Sequence, residues 1–584
     1  VTWTGDVQLT VLDGGGSAVN VPASNVHVVM GCAQSGTNFQ IVATRSPKTI
    51  SDVFGGGIMP EAAGLEANAP GVVLCMKLPS TTAGSVRGAS AAPVNITSST
   101  NANPIVVTTS SPHGLVTGAI VTIAAHLVNT NANGTFPVTV LSPTTFSIPK
   151  TGNGVGGATG TVQPTGFWAS MTGTSAVTAD VATSPLDDYY VQIKVLKGGT
   201  IGSTGIALSI SLDAGRTTGG AVQLGTANTL TIPGTGIIID FGTGTLVTGD
   251  TIQFSTIAPI WASGDIATGL QALLSSPYAA TGFGGVHLVG NCTGAIASLF
   301  QSASPGLEQL AASYIFTRGM AAARDASPPA SWGGTAETES AWMTAIEADY
   351  VAASAKRVLA GAGHYNMQSA FANSMAGTPI FRRSLTWAQA ARQITLAPQT
   401  HSGEVDLGAL AQIIVDPTND PKDGFIYHDE RVNPGLDDFL PGGAARFCSA
   451  RTRIGLPGYY IVNPRLLAPS GSVYSFWPMG AVIDVGCSIV HQVGQQEINS
   501  NVRTLSAAKG GTIYENDARV IEKKIGGAIR DNMVSTGMIS DQTVTVDRTN
   551  NVQSTKKVNI AVELEAKGYI LEEDITIGFA QASG

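Results

Sequence analysis

The sequence predicts a multidomain protein of the α+β and α/β classes: an α/β layer and a C-terminal α+β domain with exchanged terminal strands, carrying inserted all-β domains. Three observations predict it. Charge is uneven, with 12 acidic and 8 basic residues in 1–300 but 28 and 23 in 301–584, so a low-charge, Gly/Thr-rich β half precedes a more ordinary mixed half with helices. A β-α-β pattern begins at residue 25, breaks off near 85 and resumes after 262. Both ends read as isolated alternating strands: Val7, Leu9 and Val11 before a Gly14-Gly15-Gly16 break, and Ile575, Ile577 and Phe579 at the finish. At 584 residues the chain exceeds one core and predicts roughly three to five domains.

Only 12% of residues are charged, about half the usual share of roughly 25%, which suits surfaces that end against other subunits. A net charge of −9 without a basic stripe argues against a nucleic-acid coat or a binder of anionic membranes. The start, Val1-Thr2-Trp3, lacks a basic n-region and apolar stretch, and no apolar run reaches membrane-spanning length; a protein cytosolic when made is expected. Cys32, Cys75, Cys292, Cys448 and Cys487 are scattered and never form a CxxC pair. They predict no disulfide framework, and the first three lie in or beside apolar runs, as small buried hydrophobes do.

Taken in order, Val26–Met30 and Val72–Met76 are apolar strands flanking a helix near Glu61–Asn68. Matching strands recur at Val286–Val289, Tyr314–Thr317 and Arg357–Ala360, with helices at Ile266–Leu274, Gly306–Ala312 and Glu337–Ala353. The interruption contains short alternating runs, Ile105–Thr109, Ala119–Ala124, Phe136–Leu141 and Thr145–Ile148, and then Tyr189–Val195, Ala207–Leu212 and Ile237–Phe241. Turn-forming Pro, Gly and Asn separate them, so two small antiparallel β units are expected. Further on come a helix at Leu385–Ile394, an irregular acidic passage 416–438, a strand Tyr459–Val462, an apolar helix from Met479 and an amphipathic helix Glu515–Val534. Strands at Thr543–Val546, Val558–Leu564 and Asp574–Ala580 complete the chain.

An apolar-faced strand without a hairpin partner leaves backbone donors and acceptors unpaired and needs another sheet edge. A neighbouring copy is the economical source, which makes strand exchange in a repeating assembly the expectation; pairing of the ends with each other, or within their own subunit, is the alternative. Val7, Leu9, Val11, Ile575, Ile577 and Phe579 are the candidate arm residues. Val544, Val546, Val558, Ile560, Val562 and Leu564 are the candidate acceptor sheet.

Tyr427-His428-Asp429-Glu430-Arg431 is the densest cluster of catalytic residue types. It lacks a second His at ligand spacing, so solvated loop charges or an interface patch are expected there, with a hydrolase using His428, Asp429 and Glu430 as the competing enzyme reading. Cys448 with His364 or His401 lacks a nucleophile signature. The Gly-rich runs complete neither GxxxxGK[ST] nor GxGxxG. No enzyme, no metal and no cofactor are expected.

The passage IYHDERVNPGLDDFLPGGAARFCSARTRIGLPGYYIVNPRLLAPSGSVYSFWPMGAVIDVGCSIV (426–490) and the finishing VNIAVELEAKGYILEEDITIGFA (558–580) resemble contractile-tail sheath proteins of bacteriophages and related injection machines. DVQLTVLDGG near the start and NVHVVMGCA (25–33) fit the same pattern. The inserted NPIVVTTSSPHGLVTGAIVTI is similar to a small β module of phage structural proteins.

The resemblance implies hexameric rings stacked around a tail tube, knitted by N- and C-terminal arms that add strands to a neighbour's C-terminal sheet. Contraction then drives the tube through the host envelope for genome delivery. The implied partners are the protein itself, the tail tube protein, and the baseplate and neck or terminator proteins, with no nucleic acid and no direct membrane insertion. The implied setting is the phage tail of the virion, assembled in the host cytoplasm. On this reading 1–24 is an N-terminal arm, 25–84 and 263–440 form the α/β core, and 85–168 and 169–262 are inserted β domains. A C-terminal sheath domain spans 441–573 and a C-terminal arm 574–584. Glu515, Arg519, Glu522 and Lys523 mark a helix that could face the tube. Another β-rich virion component, from tube, baseplate or fibre, is the alternative, although a tube protein should be smaller and lack the mixed α/β layer.

Overall fold

The computed structural model describes residues 24–89, 91–371, 377–414, 424–437, 446–469, 472 and 474–569. The chain divides into a larger and a smaller compact unit, with the boundary between Ala481 and Val482.

The larger unit is built on a six-stranded sheet in the order Ile41–Thr44, Val72–Lys77, Val26–Gly31, Gly285–Asn291, Arg318–Ala322, Val358–Gly361. All neighbours are parallel except the first pair. Parallel strands covered on both faces read as continuous apolar runs, and these do. Val28, Met30, Leu74, Met76, Val286 and Leu288 pack under helices Ser263–Leu274, Gly294–Ser302, Leu307–Ala312 and Glu339–Tyr350. Val29, Val73, Cys75, Val289, Met320 and Leu359 pack on the opposite side, with helices Ile58–Ala67 and Leu385–Gln393. The strand expected at Tyr314–Thr317 begins four residues later, because Tyr314 adopts a left-handed φ of 63° that turns the chain out of the preceding helix.

Between strands Val72–Lys77 and Gly285–Asn291 lies the β-rich interruption. It has two apolar cores, one around Ile105, Val121, Phe136 and Phe146, the other around Val191, Ile193, Leu208, Ile239 and Phe254. Strand Thr161–Ser170 spans both: it pairs with Val94–Ser99 and Ala119–Ala124 near one end and with Thr251–Ile257 at the other. Backbone hydrogen bonding therefore runs without a break through a twelve-stranded sheet. The run expected at Phe136–Leu141 is two strands, Gly134–Pro137 and Thr139–Ser142, because Pro137 has no N–H to continue a ladder.

A buried ion pair between Arg383 and Asp187 fastens this β-rich part to the rest of its unit, and further buried pairs lie within that rest. Neighbouring strand residues point to opposite faces, so Arg382 and Arg383 on strand Ile380–Ser384 reach different partners. Arg382 donates to Asp325 at 2.6 and 2.8 Å and lies over Tyr427. Arg383 donates to Asp187 at 2.8 and 2.6 Å and lies over Phe381 and Trp387. In the core sheet, His27 and His287 each offer Nδ1 to Glu66, at 3.0 and 2.7 Å. Burial opposes the Glu66 charge, but these hydrogen bonds hold its carboxyl below the usual range.

Arg383→Met leaves Asp187 buried without its guanidinium and is expected to destabilise the larger unit by about 3–5 kcal/mol. A fall in the thermal midpoint by calorimetry checks this. An unchanged midpoint would show that the pair is dispensable.

Candidate functional site

The smaller unit contains the two strands on which the candidate acceptor residues were placed. Its first helix, Trp477–Gln495, belongs to this unit from Val482 onward, and Val482, Val485, Ile489 and Val493 form one side of the apolar core. Helix Glu515–Ile529 contributes Ala518, Ile521, Ile525 and Ile529, the amphipathic spacing read from the sequence. A π-helical turn, Arg530–Val534, buries Met533, and Gly537 at φ 73° leads into the first strand.

Strands Ile539–Val546 and Ile560–Ala566 pair antiparallel, with Val544 opposite Val562, Val546 opposite Ile560 and Gln542 opposite Leu564. Val544, Val546, Val562 and Leu564 pack on the helices. The helix lies close because Gly486 has no side chain: a Cβ there would come within 2.7 Å of Leu564. Five of the six candidate acceptor residues thus lie on the two strands. Val558 does not; it precedes the second strand and packs against the same core from the connection. The other face carries Asp541, Thr543, Thr545, Ala561, Glu563 and Glu565, all exposed. Among the described residues this sheet has two strands, and each has one edge without a strand partner. The candidate arm residues Val7, Leu9, Val11, Ile575, Ile577 and Phe579 lie outside the described residues.

Three of the four candidate tube-facing residues are engaged within the unit. Arg519 and Arg548 donate to Glu515 at 2.7 and 3.0 Å and hold its carboxyl down to about 2. Arg548 also pairs with Glu522, which accepts the Val546 N–H at 2.8 Å and so closes the end of the strand. Lys523 is exposed and forms no ion pair among the described residues. Arg548 escaped the sequence reading, since nothing local signals a side chain that joins a strand end to two carboxylates one helical face apart.

Of the cluster expected to be solvated loop charge or an interface patch, His428, Asp429 and Glu430 are buried, while Arg431 is exposed. His428 is fully buried, and Asp429 and Glu430 are each 8% exposed. His428 Nδ1 faces Glu339 at 2.9 Å and Nε2 faces Glu430 at 2.8 Å. Glu430 also accepts the N–H groups of Gly435, Leu436 and Asp437, while Asp429 accepts from Thr452 and from the Arg431 N–H. These groups are occupied in pinning 428–437 to strand Ala450–Arg453 and helix Glu339–Tyr350. Burial works against the His428 charge, but the two carboxylates outweigh it and raise its pKa to about 9.

No family model matches the sequence, and no curated protein matches it. Among solved structures, it is similar to a sheath tail protein from Listeria innocua, at 12% identity and a TM-score of 0.37, covering 95% of this chain and 97% of that one. It is similar to a sheath tail protein from Desulfitobacterium hafniense at 7% identity and a TM-score of 0.37, covering 96% and 100%. It is also similar to the contracted sheath complex of an extracellular contractile injection system, at 11% identity and a TM-score of 0.34, covering 54% and 75%.

A histidine whose folded pKa is raised from 6.5 to about 9 stabilises most below pH 6.5, and that contribution is lost as pH rises through 9. Glu430, held below its ordinary value, contributes in the opposite sense, with loss as pH falls through its folded pKa. His428→Gln is therefore expected to lower the thermal midpoint at pH 6 and to narrow its gap to the parent at pH 9.5. A constant gap between the two pH values would contradict the charged assignment.

Proposed function

We propose that this chain is the structural subunit of a contractile phage tail sheath, polymerising as stacked hexameric rings around a tail tube and contracting to drive the tube through the host envelope. The observation that carries the proposal is the 539–566 hairpin: an apolar inner face fixes it on two helices, while both outer edges lack a strand partner among the described residues. Such edges accept extended segments through backbone hydrogen bonds. The chain also has suitable segments in its sequence: 7–11 and 575–579 alternate apolar and polar or small residues at strand period. The sequence resemblance of 426–490 and 558–580 to sheath proteins supports the same assignment.

On this reading the partners are further copies of the chain, the tube, the baseplate and the neck or terminator proteins, in a virion assembled in the host cytoplasm. On the same reading 1–24 and 574–584 are exchanged arms, and the exposed side of helix Glu515–Ile529 around Lys523 is turned toward the tube. On this reading the chain acts mechanically, with no catalytic or cofactor-dependent role.

Deletion of 1–13 or of 574–584 is expected to leave a folded protein, by circular dichroism and thermal melt, that forms no tubes under the electron microscope. Normal striated tubes from either truncation would refute strand exchange as the link.

A further inference from the structure

We propose that copies of this chain also make a second, electrostatic contact, in which the arginine-lined hairpin 450–461 of one copy docks on the acidic outer face of the 539–566 hairpin of the next. The contact needs neither terminal segment, and it rests on the proposed function only in that copies associate.

The hairpin pairs strands Ala450–Arg453 and Leu456–Ile461. At its tip Ile454 is 90% exposed, and Leu456 beside it is 44% exposed. Arg431, Arg451 and Arg453 line an open pocket of about 400 Å³ with Val405, Ile454 and Leu456. Arg431 Nη2 lies 4.0 Å from Asp429, which is already held by Thr452. Arg451 and Arg453 pair with no carboxylate among the described residues, and the Nε of each is shielded from solvent without a hydrogen-bond partner. Burial and the neighbouring Arg451 both pull the Arg453 pKa down. Three guanidinium groups crowded at one concavity, in a chain of net charge −9, are best stabilised by an incoming acidic surface.

The chain itself presents one. On the outer face of the 539–566 hairpin, Asp541 lies opposite Glu565 and Glu563 lies opposite Thr543. All three carboxylates are exposed, and none forms an ion pair among the described residues. Like charges directly opposite on a sheet repel, so this face gains from a cationic partner. Glu563 and Glu565 stand two residues apart on a strand, roughly 6.4–6.8 Å, and Arg451 and Arg453 are separated by the same number of residues. Apolar groups flank both patches: Val405, Ile454 and Leu456 beside the arginines, and the exposed Ala561 beside the carboxylates. Exposed aliphatic side chains gain nothing from a free phosphate but gain from a protein face, which favours a second copy as the occupant. The two patches differ, so the contact is head-to-tail and propagates along a ring or filament.

Arg451→Glu/Arg453→Glu and Glu563→Lys/Glu565→Lys test the contact in the full-length chain. Each double variant alone should self-associate about tenfold more weakly by sedimentation at low salt, since each then opposes like charges. An equimolar mixture of the two should recover association, because reversed arginine sites meet reversed acidic faces and intact sites meet intact faces. About 0.5 M NaCl should weaken the parent and the mixture alike. Association of either variant at the parental level, a parent that remains monomeric, or a mixture no better than its components would overturn the proposal. Inorganic phosphate bound by the parent and lost only in the arginine variant, with association unchanged, would reassign the pocket to a small anion. If a reversal prevents folding, Arg451→Gln/Arg453→Gln replaces it, with weakened association expected and parental association overturning the contact. Deletion of 1–13 reads out strand exchange separately, so failure of one contact is distinguishable from failure of the other.

Discussion

Backbone groups at the edge of a sheet must find partners, and the smaller unit is organised around that constraint. A two-stranded sheet on its own is marginal in water. The hairpin 539–566 gains its stability from one face, where Val544, Val546, Val562 and Leu564 cover the apolar sides of two helices. That face also sets the register, since a slip by one residue would expose these side chains and bury Asp541, Glu563 and Glu565. The edges are consequently presented in a fixed geometry without being used up. A flexible hairpin would have to be ordered by each incoming strand, and the ordering entropy would cancel much of the gain from a handful of backbone hydrogen bonds.

The larger unit follows a different logic, with charges taken into the interior and matched there. Glu66 lies between two histidines, Asp325 and Asp187 each face an arginine, and His428 is held between two carboxylates. Such pairs add little net stability over apolar substitutes, but breaking one is costly. Their effect is to penalise any arrangement that separates the partners. For the β-rich interruption, this means that Arg383 accepts one placement of Asp187, where apolar packing alone would tolerate several.

How much of this is legible in the sequence depends on the range over which each feature is encoded. The core strand Val26–Gly31 and helix Glu515–Ile529 were readable because period and apolarity are local properties of a short window. The inner face of the 539–566 hairpin was readable for the same reason, and Val558 was misassigned because its apolar side chain continues the alternation after the backbone has left the ladder. Helix Gly294–Ser302 was missed: its Ala-, Ser- and Gly-rich sequence has little periodic contrast. The ion pairs were illegible, since Arg382 and Asp325 lie 57 positions apart, Arg383 and Asp187 196, and His287 and Glu66 221. His428-Asp429-Glu430 looked like surface charge because the carboxylate that helps bury it, Glu339, is 89 residues away. The arginines of the 450–461 hairpin were read only as part of a family-like string, because their lack of a carboxylate partner among the described residues is a property of the folded surface.

Magnitudes favour an assembly made of several weak links over one strong one. A strand added to an open edge forms about five backbone hydrogen bonds, each contributing roughly 0.5–1.5 kcal/mol net, so one arm is worth only a few kcal/mol. The proposed arginine-to-carboxylate contact is of similar or smaller size and is screened by salt. Neither would hold two copies together firmly in isolation, but a subunit that both donates and receives such links is retained by their combination through high effective concentration. The two kinds of link also respond differently to a change in lattice geometry. A strand in a sheet edge is directional and tolerates rotation only through the chain that leads to it, whereas opposed charges can separate and re-form at another offset. A lattice that must stay connected while its subunits change neighbours therefore needs the first kind for continuity, and can use the second to distinguish one arrangement from another.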